Sequence, residues 1–199
     1  ALKEQIRRWI QNFESQFSRF IPGSLIGRIN AGAGDGAWFD LDDEARSLFA
    51  LCDWFNWSTQ GVFDPATLPL LHTWDYHSPR KDIPTGDEVR RMLDLCGWSK
   101  LERADGKVRL PVAGMGLDLG GIGKEYAVDR VFEMVRDTGI EHILVNFGND
   151  LRMSGQPPEG GPWRVGLEDP AQPGMCWGGV AVTNRAVTTS GDYHRHLEI

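Results

Sequence analysis

The chain has 199 residues, 41% of them hydrophobic and 25% charged, a size and composition that suit a soluble globular protein with a full core. Its net charge of −7, with no basic block, argues against nucleic acid or an anionic membrane as the main partner. Cys52, Cys96 and Cys176 lie far apart, so neither a CxxC metal site nor a disulfide framework is visible, and neither is a transmembrane run or a signal peptide.

In chain order, Leu2, Ile6, Trp9, Ile10, Phe13 and Phe17 recur at helical spacing and predict an amphipathic first helix. A loop follows at Pro22-Gly23-Ser24, and then a polar glycine-rich turn at Gly32 to Gly36. Trp38 to Leu41 reads as a short strand. Asp42 can cap a helix through Ala45, Leu48, Phe49, Cys52 and Phe55. Gly61 to Tyr76, with two prolines, is expected to form short turns packed onto the core. Thr85 can cap a helix through Val89, Met92 and Leu93 to Cys96-Gly97, and Leu101 to Leu110 reads as a hairpin turning at Asp105-Gly106.

The richest stretch is Asp118-Leu119-Gly120-Gly121-Ile122-Gly123-Lys124-Glu125. Three glycines and a lysine stand where an extended segment turns into a helix. Glycine lets backbone N–H groups approach a ligand closely and reaches φ values that other residues avoid. A helix start adds unpaired donors and a partial positive charge, so the stretch suits phosphate. It is not a P-loop, because Asp118 holds the first glycine position and Glu125 follows the lysine. It is not the dinucleotide fingerprint either, since Gly114-x-Gly116 reaches Gly120 one residue too late. Taken alone, the pattern fits a glycine-rich turn before a core helix equally well.

That helix is expected to bury Tyr126, Ala127, Val131, Met134 and Val135 and to stop near Gly139. His142 to Asn146 has a buried-strand pattern and Leu151 to Ser154 should pair with it, with a Pro/Gly loop after it from Gly155 to Pro162. Trp163 to Leu167, Gly179 to Thr183 and Ala186 to Thr189 read as further strands. The mixture predicts a single α+β domain over residues 1–199. Most of the eight tryptophans are expected in the core, and His194-Arg195-His196 reads as exposed strand histidines rather than a metal pair.

Four ordered segments resemble one family. They are Ser18-Arg19-Phe20-Ile21-Pro22-Gly23-Ser24 with Asn30; Gly61-Val62-Phe63-Asp64-Pro65; Asp118 to Asp129; and Val145 to Asp150 with Thr189-Ser190-Gly191-Asp192-Tyr193. In this order and spacing the chain is similar to the ApbE family, the FAD:protein FMN transferases, over nearly its whole length.

The resemblance implies an α+β fold related to the T-fold. It also implies a Mg²⁺-dependent enzyme that cleaves FAD and transfers FMN to a threonine hydroxyl of a target flavoprotein, releasing AMP. The acceptor would be a respiratory or electron-transfer subunit. An extracytoplasmic setting is implied as well, periplasmic or anchored as a lipoprotein. By the same resemblance Asp118 and Lys124 are catalytic and touch FAD, Phe20, Val62, Phe63 and Asp64 line the FAD site, and the Gly121 carbonyl is a Mg²⁺ ligand.

Read as residues alone, Asp118 suits a helix cap, Phe20 and Phe63 suit a core, Asp64-Pro65 suits any turn and Lys124 suits a solvated surface. The chain departs from the family at Glu125, where relatives usually carry glycine, and at Asn149, in a usual Gly-Gly-Asp. It also lacks the family's opening strand and its C-terminal segment with the remaining Mg²⁺ ligands. Two expectations follow, a portion of a longer enzyme or a short chain that has lost metal-dependent catalysis. The alternative activities are an FAD-binding module, an FAD pyrophosphatase without transfer, and a structural protein with no flavin affinity.

Overall fold

Helix α1 (Leu2–Phe17) forms over the predicted stripe, whose members are half-buried down to a buried Phe17. The computed structural model of the chain describes residues 1–74 and 82–191. Tyr76, Asp192, Tyr193 and His194-Arg195-His196 lie outside the described residues. By its internal contacts the chain divides into two units, one of residues 8–123 and one of residues 1–7 with 124–191.

The unit of residues 8–123 carries the rest of α1 and then α2 (Leu25–Ala31), a short helix where a loop was expected. Ser24 caps it, its hydroxyl accepting the Gly27 N–H at 2.8 Å and donating to the Ser18 carbonyl at 2.7 Å. Leu25, Ile26 and Ile29 then go to the core. A Cβ on Gly27 would sit 2.4 Å from the Ile21 carbonyl oxygen, so glycine lets the 18–24 loop fold back onto the helix.

Strand β1 (Phe39–Asp40) and helix α3 (Asp43–Ser58) follow as predicted, with the Asp42 carboxylate accepting the Ala45 N–H at 2.8 Å. Ala45, Leu48, Phe49 and Cys52 make the buried face of α3, while Trp54 and Trp57 face outward. The expected turns at 61–76 include a helix, α4 (Leu68–Thr73). Helix α5 (Gly86–Leu93) starts on a full capping box between Thr85 and Glu88, and it ends at Leu93, short of Cys96-Gly97.

A single 3₁₀ turn at Trp98–Lys100 seats the buried Trp98 ring 5.2 Å from that of Phe49. Strands β2 (Glu102–Ala104) and β3 (Lys107–Arg109) form the expected hairpin, and β3 also pairs with β1. Asp105 and Gly106 both adopt positive φ (50° and 74°), the geometry of a type I′ turn.

The other unit holds α6 (Gly123–Arg136) from Lys124 onward, with Ala127, Val128, Val131 and Phe132 buried. The stripe therefore lies one residue aside from the expected one: Tyr126, Met134 and Val135 are only half-buried. Strands β4 (Ile143–Phe147) and β5 (Asp150–Ser154) pair as expected, antiparallel and with Ile143 opposite Ser154 and Phe147 opposite Asp150. Contrary to the expectation of a fully buried strand, β4 alternates: Ile143 and Val145 are buried, whereas Leu144 and Asn146 face out. Gly148 and Asn149, at φ 54° and 73°, join them by a second tight turn, and asparagine tolerates that left-handed conformation. This accounts for Asn149 in place of a second glycine.

Strand β6 (Trp163–Asp169) pairs with β7 (Gln172–Val182), which begins seven residues before the predicted Gly179. Pro173, Gly174 and Gly178 mask that strand in sequence, but ladder pairing overrides weak propensity. Strand β8 (Arg185–Val187) pairs with β5. Among the described residues all pairings are antiparallel, in three small sheets, and with the helices this is the α+β class expected.

The tryptophan expectation fails. Five of the eight (Trp38, Trp54, Trp57, Trp74 and Trp177) are exposed, and Trp98 is the one that is fully buried. Cysteine placement gives a direct check. Burial pushes the Cys52 thiol up to about 12, with Asp53 adding to the effect, and burial also raises Cys96. Raised thiol values keep both groups protonated, hence unreactive, through mildly alkaline pH. Cys176 is exposed on β7. A native chain treated with iodoacetamide at pH 8 is expected to take one label, at Cys176, by peptide mass mapping. Labelling of Cys52 before unfolding would contradict this core.

Candidate functional site

The glycine-rich stretch is built from its acid inward. The Asp118 N–H donates to the Pro65 carbonyl at 2.8 Å, which ties this segment to the Asp64-Pro65 loop. The carboxylate then serves two donors: Arg19 Nε at 2.5 Å and the Gly120 N–H at 2.6 Å. One residue earlier, Asn30 brackets the backbone of Leu117, donating to its carbonyl at 2.9 Å and accepting its N–H at 2.7 Å. Leu119 closes the turn, its carbonyl accepting N–H groups from Ile122 and Gly123 at 3.0 and 2.7 Å.

The glycines serve close approach rather than unusual dihedrals. None of Gly120, Gly121 and Gly123 is at positive φ. A Cβ on Gly120 would lie 2.8 Å from Asp118 Oδ1, so this position is closed to side chains by the hydrogen bond it makes. Gly121 is exposed beside the Phe63 ring, with 3.7 Å left for a Cβ.

The same unit holds the other residues expected to line a flavin site. Phe63 is fixed at both ends of its peptide: its N–H donates to Thr59 Oγ1 at 3.0 Å, and its carbonyl accepts from Asn56 at 2.8 Å. Its ring lies 5.8 Å from that of Phe55. Asp64 spends both carboxylate oxygens on backbone, taking the N–H of Ala66 at 2.7 Å and of Trp98 at 2.9 Å. It holds the loop in shape. Val62 and Phe20 are among the most exposed apolar side chains, at 89% and 77%. The Arg19 guanidinium lies 4.1 Å from the Phe20 ring centroid, so it covers one face of that ring.

In the other unit Lys124, the second residue of α6, is less free than a solvated lysine. Its ammonium pairs with Asp150 and donates to the Gly148 carbonyl at 3.3 Å. Asp150 is 3% exposed and also accepts from the Thr188 hydroxyl. With three donors and two such partners, the half-exposed ammonium keeps a hydrogen for a ligand. Glu125 sits in the first turn of α6, where the helix dipole favours an acid, and one of its carboxylate oxygens is buried.

Asp150, Asn30 and Arg19 all stand in the quoted motifs, but the sequence assigns none of them a role. Their partners stand 26, 87 and 99 residues away along the chain, so only the ordered motifs hinted at them. Gly121 offers a metal nothing beyond a neutral carbonyl, and among the described residues no three His, Cys, Asp or Glu side chains gather. These residues do not compose a Mg²⁺ site by themselves.

Comparison with known proteins bears on the whole chain. The family model described as "ApbE family" matches residues 1–199. The FAD:protein FMN transferase of Vibrio cholerae is 25% identical over 210 residues, covering 100% of this chain and 60% of that protein. The flavinyl transferase ApbE of Pseudomonas stutzeri, solved in its apo form, superposes with a TM-score of 0.82 at 26% identity, over 98% of this chain and 61% of that one. The ApbE protein of Thermotoga maritima gives 0.85 at 28% identity, over 100% and 64%. The chain thus spans about three-fifths of the length of these relatives.

Proposed function

The chain belongs to the ApbE family, and from that premise we propose that it is an FAD:protein FMN transferase. It cleaves the pyrophosphate of FAD and passes FMN to a threonine hydroxyl of a target flavoprotein, a respiratory or electron-transfer subunit. The threonine oxygen forms a bond to the FMN phosphorus as the bond from that phosphorus to the bridging oxygen breaks. The bridging oxygen leaves with AMP, and the hydroxyl proton goes to solvent. Such a transfer depends mostly on positioning and on offsetting phosphate charge.

The observation that supports this reading best is the stretch 118–124. Asp118 fixes the Gly120-Gly121 turn by hydrogen bonds, and the stretch ends in the half-exposed ammonium of Lys124. Lys124 is the group proposed to offset pyrophosphate charge, and Asp118 the one that holds the turn against FAD. Phe20, Val62 and Phe63 are proposed to cover the flavin, and Asp64 to keep their loop in place. Mg²⁺ dependence, with the Gly121 carbonyl as one ligand, enters by the resemblance, as does an extracytoplasmic setting.

The test is incubation of the chain with FAD, Mg²⁺ and a threonine-bearing acceptor flavoprotein, with AMP and covalent flavin as readouts. The proposal expects both products, and their loss with EDTA. FAD binding without AMP would replace it by a flavin-binding module; AMP without covalent flavin would make the protein an FAD pyrophosphatase. No flavin affinity at all would sink it.

A further inference from the structure

Arg19 stands out among the charged groups with no assigned task. Its guanidinium is held on two sides at once: Nε donates to Asp118 Oδ2 at 2.5 Å, and the plane rests 4.1 Å from the centroid of Phe20. The pair is sheltered, with side chains 24% and 15% exposed. Asp118 in turn fixes the Gly120 N–H. A carboxylate beside a phosphate site would repel its ligand, and at this degree of burial solvent screens poorly. An adjacent cation removes that repulsion and fixes the carboxylate rotamer.

We propose that Arg19 is a positioning residue for the nucleotide site: it neutralises and orients Asp118, and through it the Gly120-Gly121 turn. This rests on the reading of the chain as an FAD-binding protein. Arg19 acts through Asp118, while Phe20 keeps the guanidinium from swinging away.

Fluorescence titration separates this from a merely structural role. FAD and ADP are the probes, and the proteins are wild type, Arg19→Met, Arg19→Lys, Asp118→Asn and the Arg19→Met/Asp118→Asn double variant. Arg19→Met should weaken FAD and ADP about tenfold, about the factor expected from an unmatched, sheltered carboxylate near phosphate. Arg19→Lys should recover all but about twofold of the loss, since charge is restored. In the Asp118→Asn background, Arg19→Met should change affinity by less than about twofold, because the groups act as one unit.

Thermal melting identifies any variant that is unfolded. Should Arg19→Met be one, the Lys and Asn variants still decide, as Arg19→Lys must bind within about twofold of wild type. Wild-type FAD binding with unchanged affinity in Arg19→Met, or equal losses in both backgrounds, would overturn the inference alone. A wild type without FAD affinity would overturn the functional reading, and the inference with it.

Discussion

Replacement of Lys124 by alanine is expected to reduce AMP release from FAD by about a hundredfold or more and to lower stability at the same time. The catalytic loss follows from removing the cation proposed to meet pyrophosphate charge, the scale seen when one preorganised donor is deleted from a reacting site. The stability loss has a separate cause. Asp150 is 3% exposed, and its charge is matched by Lys124, with the Thr188 hydroxyl as its other partner. Leaving a buried carboxylate without its cation costs about 3–5 kcal/mol when both groups are buried. The Lys124 side chain is 45% exposed, so screening brings the expected cost to about 1–3 kcal/mol.

Because both effects follow from one substitution, Lys124→Ala by itself confuses them. The double variant Lys124→Ala/Asp150→Asn pulls them apart. It removes the unmatched charge, so its melting temperature should return most of the way to wild type while AMP release stays lost. Urea unfolding and an AMP assay on the two variants check this. AMP formation unaffected by Lys124→Ala would remove Lys124 from the proposed chemistry, whatever the stability result.

How much of this was legible in the sequence depends on how local each cause is. Thr85 with Glu88, Asp42 with Ala45, and Asp105-Gly106 act within two to three residues, and each was readable because the chemistry sits next to its own consequence. Helix α2 was not readable. It has seven residues, one of them Gly27, and it exists because the backbone of the 18–24 loop packs where a side chain would stand. The exposed tryptophans were misjudged for a similar reason. Trp54 and Trp57 keep helical spacing, but nothing in that spacing tells which stripe of α3 finds a neighbour.

The site divides in the same way. The glycine-lysine stretch announced a turn into a helix, and the structure has one. That Asp118 is held by Arg19, and Lys124 by Asp150, are contacts over 99 and 26 residues. Such pairs are set by tertiary packing, and only the order of several motifs carried their trace.

The same non-local logic makes Asn30 the second position of large effect. Its amide is matched to Leu117 as a side chain mimicking a neighbouring strand, one donor and one acceptor on one peptide. Leu117 is fully buried, so water cannot replace the lost partners easily. Asn30→Ala should therefore leave a buried N–H and a buried C=O unmatched, at about 1–3 kcal/mol each by desolvation, or about 2–4 kcal/mol together once relaxation is allowed. Asn30→Asp is the sharper probe. It keeps the acceptor for the Leu117 N–H and loses the donor to the carbonyl, placing carboxylate oxygen against carbonyl oxygen. It should be no more stable than Asn30→Ala, despite preserving shape and one hydrogen bond. Since Leu117 precedes Asp118, both variants should also weaken FAD binding, and by more than a distant core change of equal cost such as Leu48→Ala. Equal FAD affinity in Asn30→Ala and Leu48→Ala, matched for stability by urea unfolding, would mean that Asn30 supports the core and not the site.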